Sequence, residues 1–156
     1  MTSKSGKIRR FIAAGLGVGW IPGRIRGSDE GAGTFGAALA IPMALATQPL
    51  GVAVQVAVLI GVSIVGLWAA GAATDGEDPG WIVIDEVAGA FLGVLSLTGW
   101  PFIIGWIVAR VADITKRFPL VKKAENLGGP VGIMADDLVA GVWGLAAGSV
   151  AQFLMT

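Results

Sequence analysis

The sequence predicts an all-α helical bundle embedded in a membrane. The mean hydropathy is +0.77 and only 14% of the 156 residues are charged, both outside the usual range of a soluble domain. Residues 50–73 and 139–156 carry no charge, and each run approaches the roughly 20 residues that cross a bilayer. Because the backbone must satisfy its hydrogen bonds within the membrane, we expect one helical domain, residues 1–156.

Six helical stretches are separated by turns or by polar, Gly/Pro-rich connections. They cover residues 8–20, 34–47, 50–73, 82–97, 100–116 and 133–155. The first is short, rich in glycine and followed by Pro22, so we interpret it as a re-entrant or interfacial helix. The expected architecture is therefore a polytopic bundle of about five spans plus this short N-terminal helix.

The charges fall in alternate connections. If the first stretch returns to its starting side, all eleven basic residues lie on one face, which the positive-inside bias makes cytoplasmic. The eleven acids share that face, although the bias does not require it. We therefore expect a functional site at the cytoplasmic face of the membrane, with the C-terminus on the opposite side.

Three residue types are absent, which narrows the possible chemistry. The chain has no cysteine, histidine or tyrosine. This excludes thiolate nucleophiles, imidazole bases and phosphohistidine intermediates. Acid-base and metal chemistry must then be carried by carboxylates, Lys, Arg, hydroxyl groups and water.

Five acids interrupt helical patterns. Asp85 and Glu86 open one stretch, Asp136 and Asp137 lie in another, and Asp113 lies in a third. A charge at membrane depth costs at least about 2.5 kcal/mol, so such acids are candidates for a functional site. The alternative is that they stabilise helix N-termini, where a carboxylate contributes about 0.3–1 kcal/mol.

Two of these acids each begin a stripe of small residues, spaced about one helical turn apart on one face of the helix. Asp85 is followed by Gly89 and Gly93, and Asp137 is followed by Gly141, Gly144 and Gly148. Glycine stripes allow helices to approach closely in lipid. If the two stripes face each other, carboxylates from two helices meet, which is an arrangement suited to Mg²⁺.

Basic residues and a glycine-flanked threonine are candidates for binding phosphate. Arg110, Asp113 and Arg117 follow i, i+3, i+7 spacing, with Lys116 beside them. Gly33 and Thr34 open a helix and could present backbone N–H groups to an anion. For Lys122 and Lys123 an ordinary positive-inside role is equally consistent.

Four segments together resemble the phosphatidylglycerophosphatase A family over essentially the whole chain. They are GTFGAAL from Gly33, DPGWIVIDEVAG from Asp78, ARVADITKRFPL from Ala109 and GIMADDLVAG from Gly132. The resemblance implies a Mg²⁺-dependent inner-membrane phosphatase that converts phosphatidylglycerophosphate to phosphatidylglycerol. It also implies a set of acids that serve as both metal ligands and catalytic residues: Asp85, Glu86, Asp113, Asp136 and Asp137. The expected partners are the phospholipid substrate and membrane lipids, with no nucleic acid, and the oligomeric state stays open.

The chain departs from the usual family pattern at several positions. Ala109 replaces an aromatic residue, Arg117 replaces proline, and Ala32 and Ala37 replace proline and serine of the first motif. Residues 23–30 look like an insertion. These differences leave the acids intact and concern the phosphate contacts.

Two other functions fit parts of the pattern. A cation or proton transporter would also use buried acids, but no acid falls near the middle of a predicted span. A CDP-alcohol phosphotransferase would need a DGxxAR run, which is missing. For a phosphatase, metal-assisted attack by water and, less readily, a carboxylate nucleophile stay open, as does the number of metal ions.

Overall fold

The computed structural model describes residues 4–71 and 79–155, which contain α-helices, two short 3₁₀ helices and no strand. This confirms the all-α class. The 3₁₀ helices are Val18–Trp20 and Gln48–Leu50. The α-helices are α1 (Lys4–Ala13), α2 (Ile21–Arg26), α3 (Ala32–Thr47), α4 (Val52–Ala70), α5 (Ile84–Gly93), α6 (Gly99–Thr115), α7 (Val121–Glu125) and α8 (Gly129–Met155).

The long C-terminal helix α8 is the centre of the bundle. It packs mainly along α6 and α5, while α3 packs on the other side of α5 and α4 contacts α5 and α1. The principal core consists of small and apolar side chains from α3, α5 and α6, including Ala40, Phe91 and Phe102. The core therefore places α5 between α3 and α8.

Glycines bring α5, α6 and α8 into backbone contact. A Cβ on Gly89 would lie closer than 3.0 Å to the backbone of Asp137, and one on Gly141 would be equally close to the Gly89 carbonyl oxygen. The same relation joins Gly144 of α8 to the Gly105 carbonyl of α6. The two predicted stripes therefore do face each other, with α6 adding a third helix.

Two helices are long and apolar enough to cross a membrane. They are Val52–Ala70, with a mean hydropathy of 2.3, and Gly129–Met155, with a mean hydropathy of 1.6. In the core of a soluble protein such helices would be buried, yet only 17% and 22% of these two segments are buried. Exposed side chains such as Ile60, Ile64 and Phe153 match a hydrocarbon surrounding. The chain is thus a membrane protein.

The N-terminal part differs from the prediction. A helix over residues 8–20 is wrong in extent, because α1 ends at Ala13 and a tight turn follows. Gly15, Leu16 and Gly17 in this turn have positive φ angles, which a continuing helix cannot contain. Residues 23–30, the apparent insertion, form the end of α2 and the turn that leads into α3.

Two other predicted stretches change their bounds. The stretch 82–97 is helical only from Ile84 to Gly93, and the last stretch begins at Gly129 instead of residue 133. Most of the polar connection 74–81 lies outside the described residues.

Two glutamine side chains hold the turn after α5. The backbone N–H of Ser96, a residue with φ of 60°, donates to Gln55 Oε1 at 2.9 Å. Gln48 Nε2 donates to the Leu97 carbonyl at 2.7 Å. Buried backbone groups outside a helix need such partners in lipid. The side chains of the α3–α4 hairpin therefore stabilise the end of α5.

Gly144→Ala tests the backbone contact between α8 and α6. The added methyl group meets the Gly105 carbonyl, which cannot move away as a flexible side chain could, so we expect a loss of about 1–3 kcal/mol. The measurement is thermal unfolding in detergent. Gly61→Ala is the matched control, because nothing lies within 4 Å of a Cβ at Gly61. Its stability should stay the same or rise by up to about 1 kcal/mol, and equal losses in both variants would contradict the packing argument.

Candidate active site

The first pair of acids lies in the first turn of α5. The backbone N–H of Val83, just before this helix, donates to the Ala13 carbonyl at the end of α1 at 2.9 Å. This contact fixes the start of α5. Asp85 is buried and Glu86 is half-buried, although both are charged residue types. A helix N-terminus favours negative charge, so the position of Asp85 and Glu86 agrees with the capping alternative for this pair.

The second pair of acids lies well inside a helix. Because α8 begins at Gly129, Asp136 and Asp137 follow two turns of regular helix and do not cap its N-terminus. The capping explanation therefore fails for this pair. Both residues are only 5% exposed. Burial of two adjacent acids within an apolar helix requires compensating partners.

Three carboxylates from α5 and α8 converge. One oxygen each from Asp85, Glu86 and Asp137 lies within 4.8 Å of the other two. The close passage of α5 and α8 at Gly89 and Gly141 brings these helices together just beside this carboxylate cluster. Glu86 Oε2 is buried and accepts no hydrogen bond from the described residues. The carboxylate cluster thus has negative charge and unused acceptor capacity, which a cation could satisfy.

A charged network continues from the carboxylate cluster. Lys116 Nζ donates to Asp113 at 3.1 Å and to Asp136, while Arg110 forms an ion pair with Asp113. Lys116 follows α6 and has a positive φ of 52°, which turns its side chain away from the course of the helix. Burial alone would lower the pKa of Lys116, but the hydrogen bond to Asp136 and the charges of Asp113 and Asp136 outweigh burial and raise it. Lys116 therefore keeps its positive charge.

Gly33 at the start of α3 closes the site. A Cβ at this position would collide with Glu86 Oε1 and lie 3.2 Å from a terminal nitrogen of Arg110. A side chain at residue 33 would therefore displace the Glu86 carboxylate. Arg110 Nε is buried and has no hydrogen-bond partner among the described residues. The side chain of Thr34, by contrast, is exposed.

The structure therefore brings most of the predicted residues together, in two adjacent groups. Asp85, Glu86 and Asp137 form the carboxylate cluster, whereas Asp113 and Asp136 pair with Lys116. The predicted face shared with Arg117 is wrong, because α6 ends at Thr115 and Arg117 is exposed. Lys122 and Lys123 are exposed on α7, in agreement with an ordinary surface role.

One positioning contact had no signal in the sequence. The hydrogen bond from Val83 to the Ala13 carbonyl joins backbone groups of apolar residues far apart in the chain. Residue types and spacing carry no information about such a pair. In the same region Gly19 packs against the Trp81 carbonyl so closely that no Cβ would fit.

Comparison with known proteins gives the family. A protein of Bacteroides thetaiotaomicron provisionally named phosphatidylinositol-3-phosphatase is 37% identical over 98 residues, which is 58% of this chain and 60% of the relative. The phosphatidylglycerophosphatase A of Escherichia coli K12 is 36% identical over 69 residues, 42% of this chain and 40% of the relative. The chain thus spans less than two thirds of both relatives.

No solved structure matches the chain significantly. The family model described as phosphatidylglycerophosphatase A matches residues 11–152, which include every helix that contributes to the site. On this match over nearly its full length, the chain belongs to the phosphatidylglycerophosphatase A family.

Proposed function

We propose that this protein is a Mg²⁺-dependent phosphatase that hydrolyses the terminal phosphomonoester of phosphatidylglycerophosphate, giving phosphatidylglycerol and phosphate. The observation that carries the proposal is the convergence of Asp85, Glu86 and Asp137 from two helices within a member of this family. The next residues outward are Arg110 and Lys116, the cations that a phosphate group requires.

The carboxylate cluster fits a magnesium ion. Its ligand atoms are all carboxylate oxygens, the type that Mg²⁺ prefers, and Cys and His ligands are absent from the sequence. The buried Glu86 oxygen without a hydrogen bond is the atom that most requires a cation. When bound, Mg²⁺ would polarise the phosphate and make water a stronger nucleophile. Asp85, Glu86 and Asp137 would hold it.

The protein residues would then act as follows. Arg110, whose Nε has no partner in residues 4–71 and 79–155, binds a phosphate oxygen and neutralises the charge that develops as the P–O bond to glycerol breaks. A carboxylate of the cluster accepts a proton from the attacking water and donates it to the glycerol oxygen that leaves. Gly33 lets the α3 backbone approach the same point, and Thr34 at the entrance adds a hydroxyl group for the head group.

Asp113 and Asp136 have a different immediate role in this proposal. Both bind Lys116 and thereby hold its positive charge beside the cluster. Either acid becomes a metal ligand only if Lys116 transfers its hydrogen bonds to substrate phosphate. All five acids then contribute to catalysis. The three acids of the cluster hold the metal, and Asp113 and Asp136 position Lys116.

The relatives share one chemical theme. Both relatives are named as phosphatases that act on a phospholipid head group. We favour phosphatidylglycerophosphate as the substrate because the family model that matches residues 11–152 is that of phosphatidylglycerophosphatase A. A transporter is the weaker alternative, because Asp85 and Glu86 lie at the start of α5 and not along a path through the bundle.

The proposed topology has five spans with the active site facing the cytoplasm of a bacterial inner membrane. The supporting observation is that the acid and lysine network lies where α3 and α5 begin and α6 ends. The opposite ends of these helices meet at Gln48 and Leu97, which carry no charge.

Cysteine labelling tests this topology. Single cysteines at Gln48, Thr98 and Thr156 should react with a membrane-impermeant reagent from the periplasm, because the five-span arrangement puts them there. Cysteines at Ser28, Gly76 and Asn126 should react only after the membrane is opened. The chain has no cysteine of its own, so each variant carries a single thiol. Periplasmic labelling at Gly76 would rule out a site on one face.

Charge-removing substitutions test the metal site and the reaction together. Purified protein should release phosphate from phosphatidylglycerophosphate only with Mg²⁺. Asp85→Asn, Glu86→Gln and Asp137→Asn should each lower turnover by roughly 100-fold or more, because a lost ligand disorganises metal and substrate. The melting temperature without Mg²⁺ should stay the same or rise, since one of several crowded negative charges is gone.

A matched surface substitution provides the control. Glu30→Gln removes an exposed acid that lies outside the charged network and should keep both activity and the Mg²⁺ response. Near-normal turnover in Asp85→Asn and Asp137→Asn would defeat the assignment of the carboxylate cluster as the metal site.

Gly33→Ala tests the close approach of α3. The methyl group would displace Glu86, so the rise in melting temperature that Mg²⁺ produces should shrink and turnover should fall. Thr34→Val removes a hydroxyl group without adding volume near Glu86. We expect a higher KM with an unchanged Mg²⁺-dependent melting shift. If Gly33→Ala keeps the full shift, the contact between Gly33 and Glu86 does not matter for metal binding.

A further inference from the structure

An apolar groove opens between α3 and α4, beside the start of α5. These two helices are joined by a short turn but scarcely touch each other along their length. The space between them measures about 360 Å³, within the usual range of about 300–1,000 Å³ for ligand pockets. We call it the α3–α4 groove. Its lining includes Leu39, Met43, Gly61, Val65, Ile84 and Val87, and no charged residue.

The groove begins at the level of the carboxylate cluster. Ile84 directly precedes Asp85, and Val87 directly follows Glu86. Ile84 also packs against a buried cluster that includes Ala69 and Ala70, so the end of α4 lies level with the start of α5. From Ala70 to Gly61 a helix rises by roughly 14 Å. The groove thus leads from the polar site down into the depth of the bilayer.

Glycine keeps the groove open at its far end. Nothing lies within 4 Å of the position of a Cβ on Gly61. This differs from Gly89, Gly141 and Gly144, which are small because a neighbouring backbone presses on them. Close helix packing therefore does not explain Gly61, and a glycine in an exposed helix lowers helix stability by about 1 kcal/mol relative to alanine.

We propose that the α3–α4 groove binds one acyl chain of the lipid whose phosphate reaches the carboxylate cluster. The groove lies against α4, one of the two helices that can span the membrane, so hydrocarbon is the chemistry that its surroundings supply. A lipid with its phosphate beside Glu86 and Arg110 must keep its chains in the bilayer, and the groove is lined by Ile84 and Val87 from the same first turn of α5. The proposal rests on the proposed function for the identity of the head group.

Photo-crosslinking tests occupancy without turnover. The probe is phosphatidylglycerophosphate with a diazirine on one acyl chain, added in the presence of EDTA. We expect crosslinks at Met43, Val62 and Val65, and competition by excess unlabelled phosphatidylglycerophosphate but not by phosphatidylcholine. Even labelling of Ile60, Trp68 and other lipid-facing residues, or equal competition by both lipids, would show ordinary bilayer contact and overturn the proposal.

Filling the groove provides the second arm. Gly61→Leu should lower the competed labelling and raise KM for a long-chain substrate by roughly tenfold, with little change in kcat. A short-chain, water-soluble substrate should be hydrolysed as by the unchanged protein. Ala57→Leu, an exposed position one turn away that does not line this groove, is the matched control and should behave normally for both substrates.

The two arms separate the acyl-chain proposal from the proposed function. If unlabelled phosphatidylglycerophosphate competes with the crosslinking but the protein releases no phosphate, the acyl-chain proposal stands and the phosphatase activity is rejected. Phosphate release with an unchanged long-chain KM in Gly61→Leu would retain the activity and reject the groove.

Discussion

The backbone contact between α5 and α8 is the constraint on which the site depends. At Gly89 and Gly141 each helix occupies the space that a side chain of the other would need. This contact sets the distance between the two helices, and therefore the distance from Asp137 to Asp85 and Glu86. A methyl group at either glycine would separate acids that are distant in sequence. The chemistry of the cluster thus depends on residues that have no side chain.

The second requirement is electrostatic: the negative charges of the acids must be balanced. Five acids close together in a membrane protein would repel one another strongly, and burial increases the repulsion. Lys116 and Arg110 offset part of this charge by pairing with Asp113 and Asp136, the two acids outside the cluster. The remaining negative charge is concentrated on Asp85, Glu86 and Asp137. In this arrangement a cation bound to the cluster would relieve repulsion, and an anion beside it would meet positive charge.

The sequence was most informative where composition and spacing act directly. Hydropathy identified the membrane class, and the i+4 spacing of Asp85 with Gly89 and of Asp137 with Gly141 predicted the facing stripes. The division of the acids into two groups could not be predicted, because it depends on Lys116, whose positive φ ends α6 and redirects the side chain. The same break is the reason that Arg117 does not share the face of Arg110. The stretch predicted for residues 100–116 ends within one residue of α6, and Arg117 already lies beyond it, so helix periodicity does not apply to the spacing between Arg110 and Arg117.

The ten-residue length of α5 has a consequence for the surrounding bilayer. Ten helical residues rise roughly 15 Å, about half of the hydrocarbon thickness of a typical membrane. The turn that follows can nevertheless lie below the lipid head groups, because Gln48 and Gln55 supply the hydrogen bonds that water would otherwise provide. Where the membrane is thicker than this part of the bundle, thinning of the bilayer would carry a cost that grows with each ångström of mismatch. The thickness of the membrane therefore affects how deep the carboxylates lie, because the lipid deforms elastically around the protein.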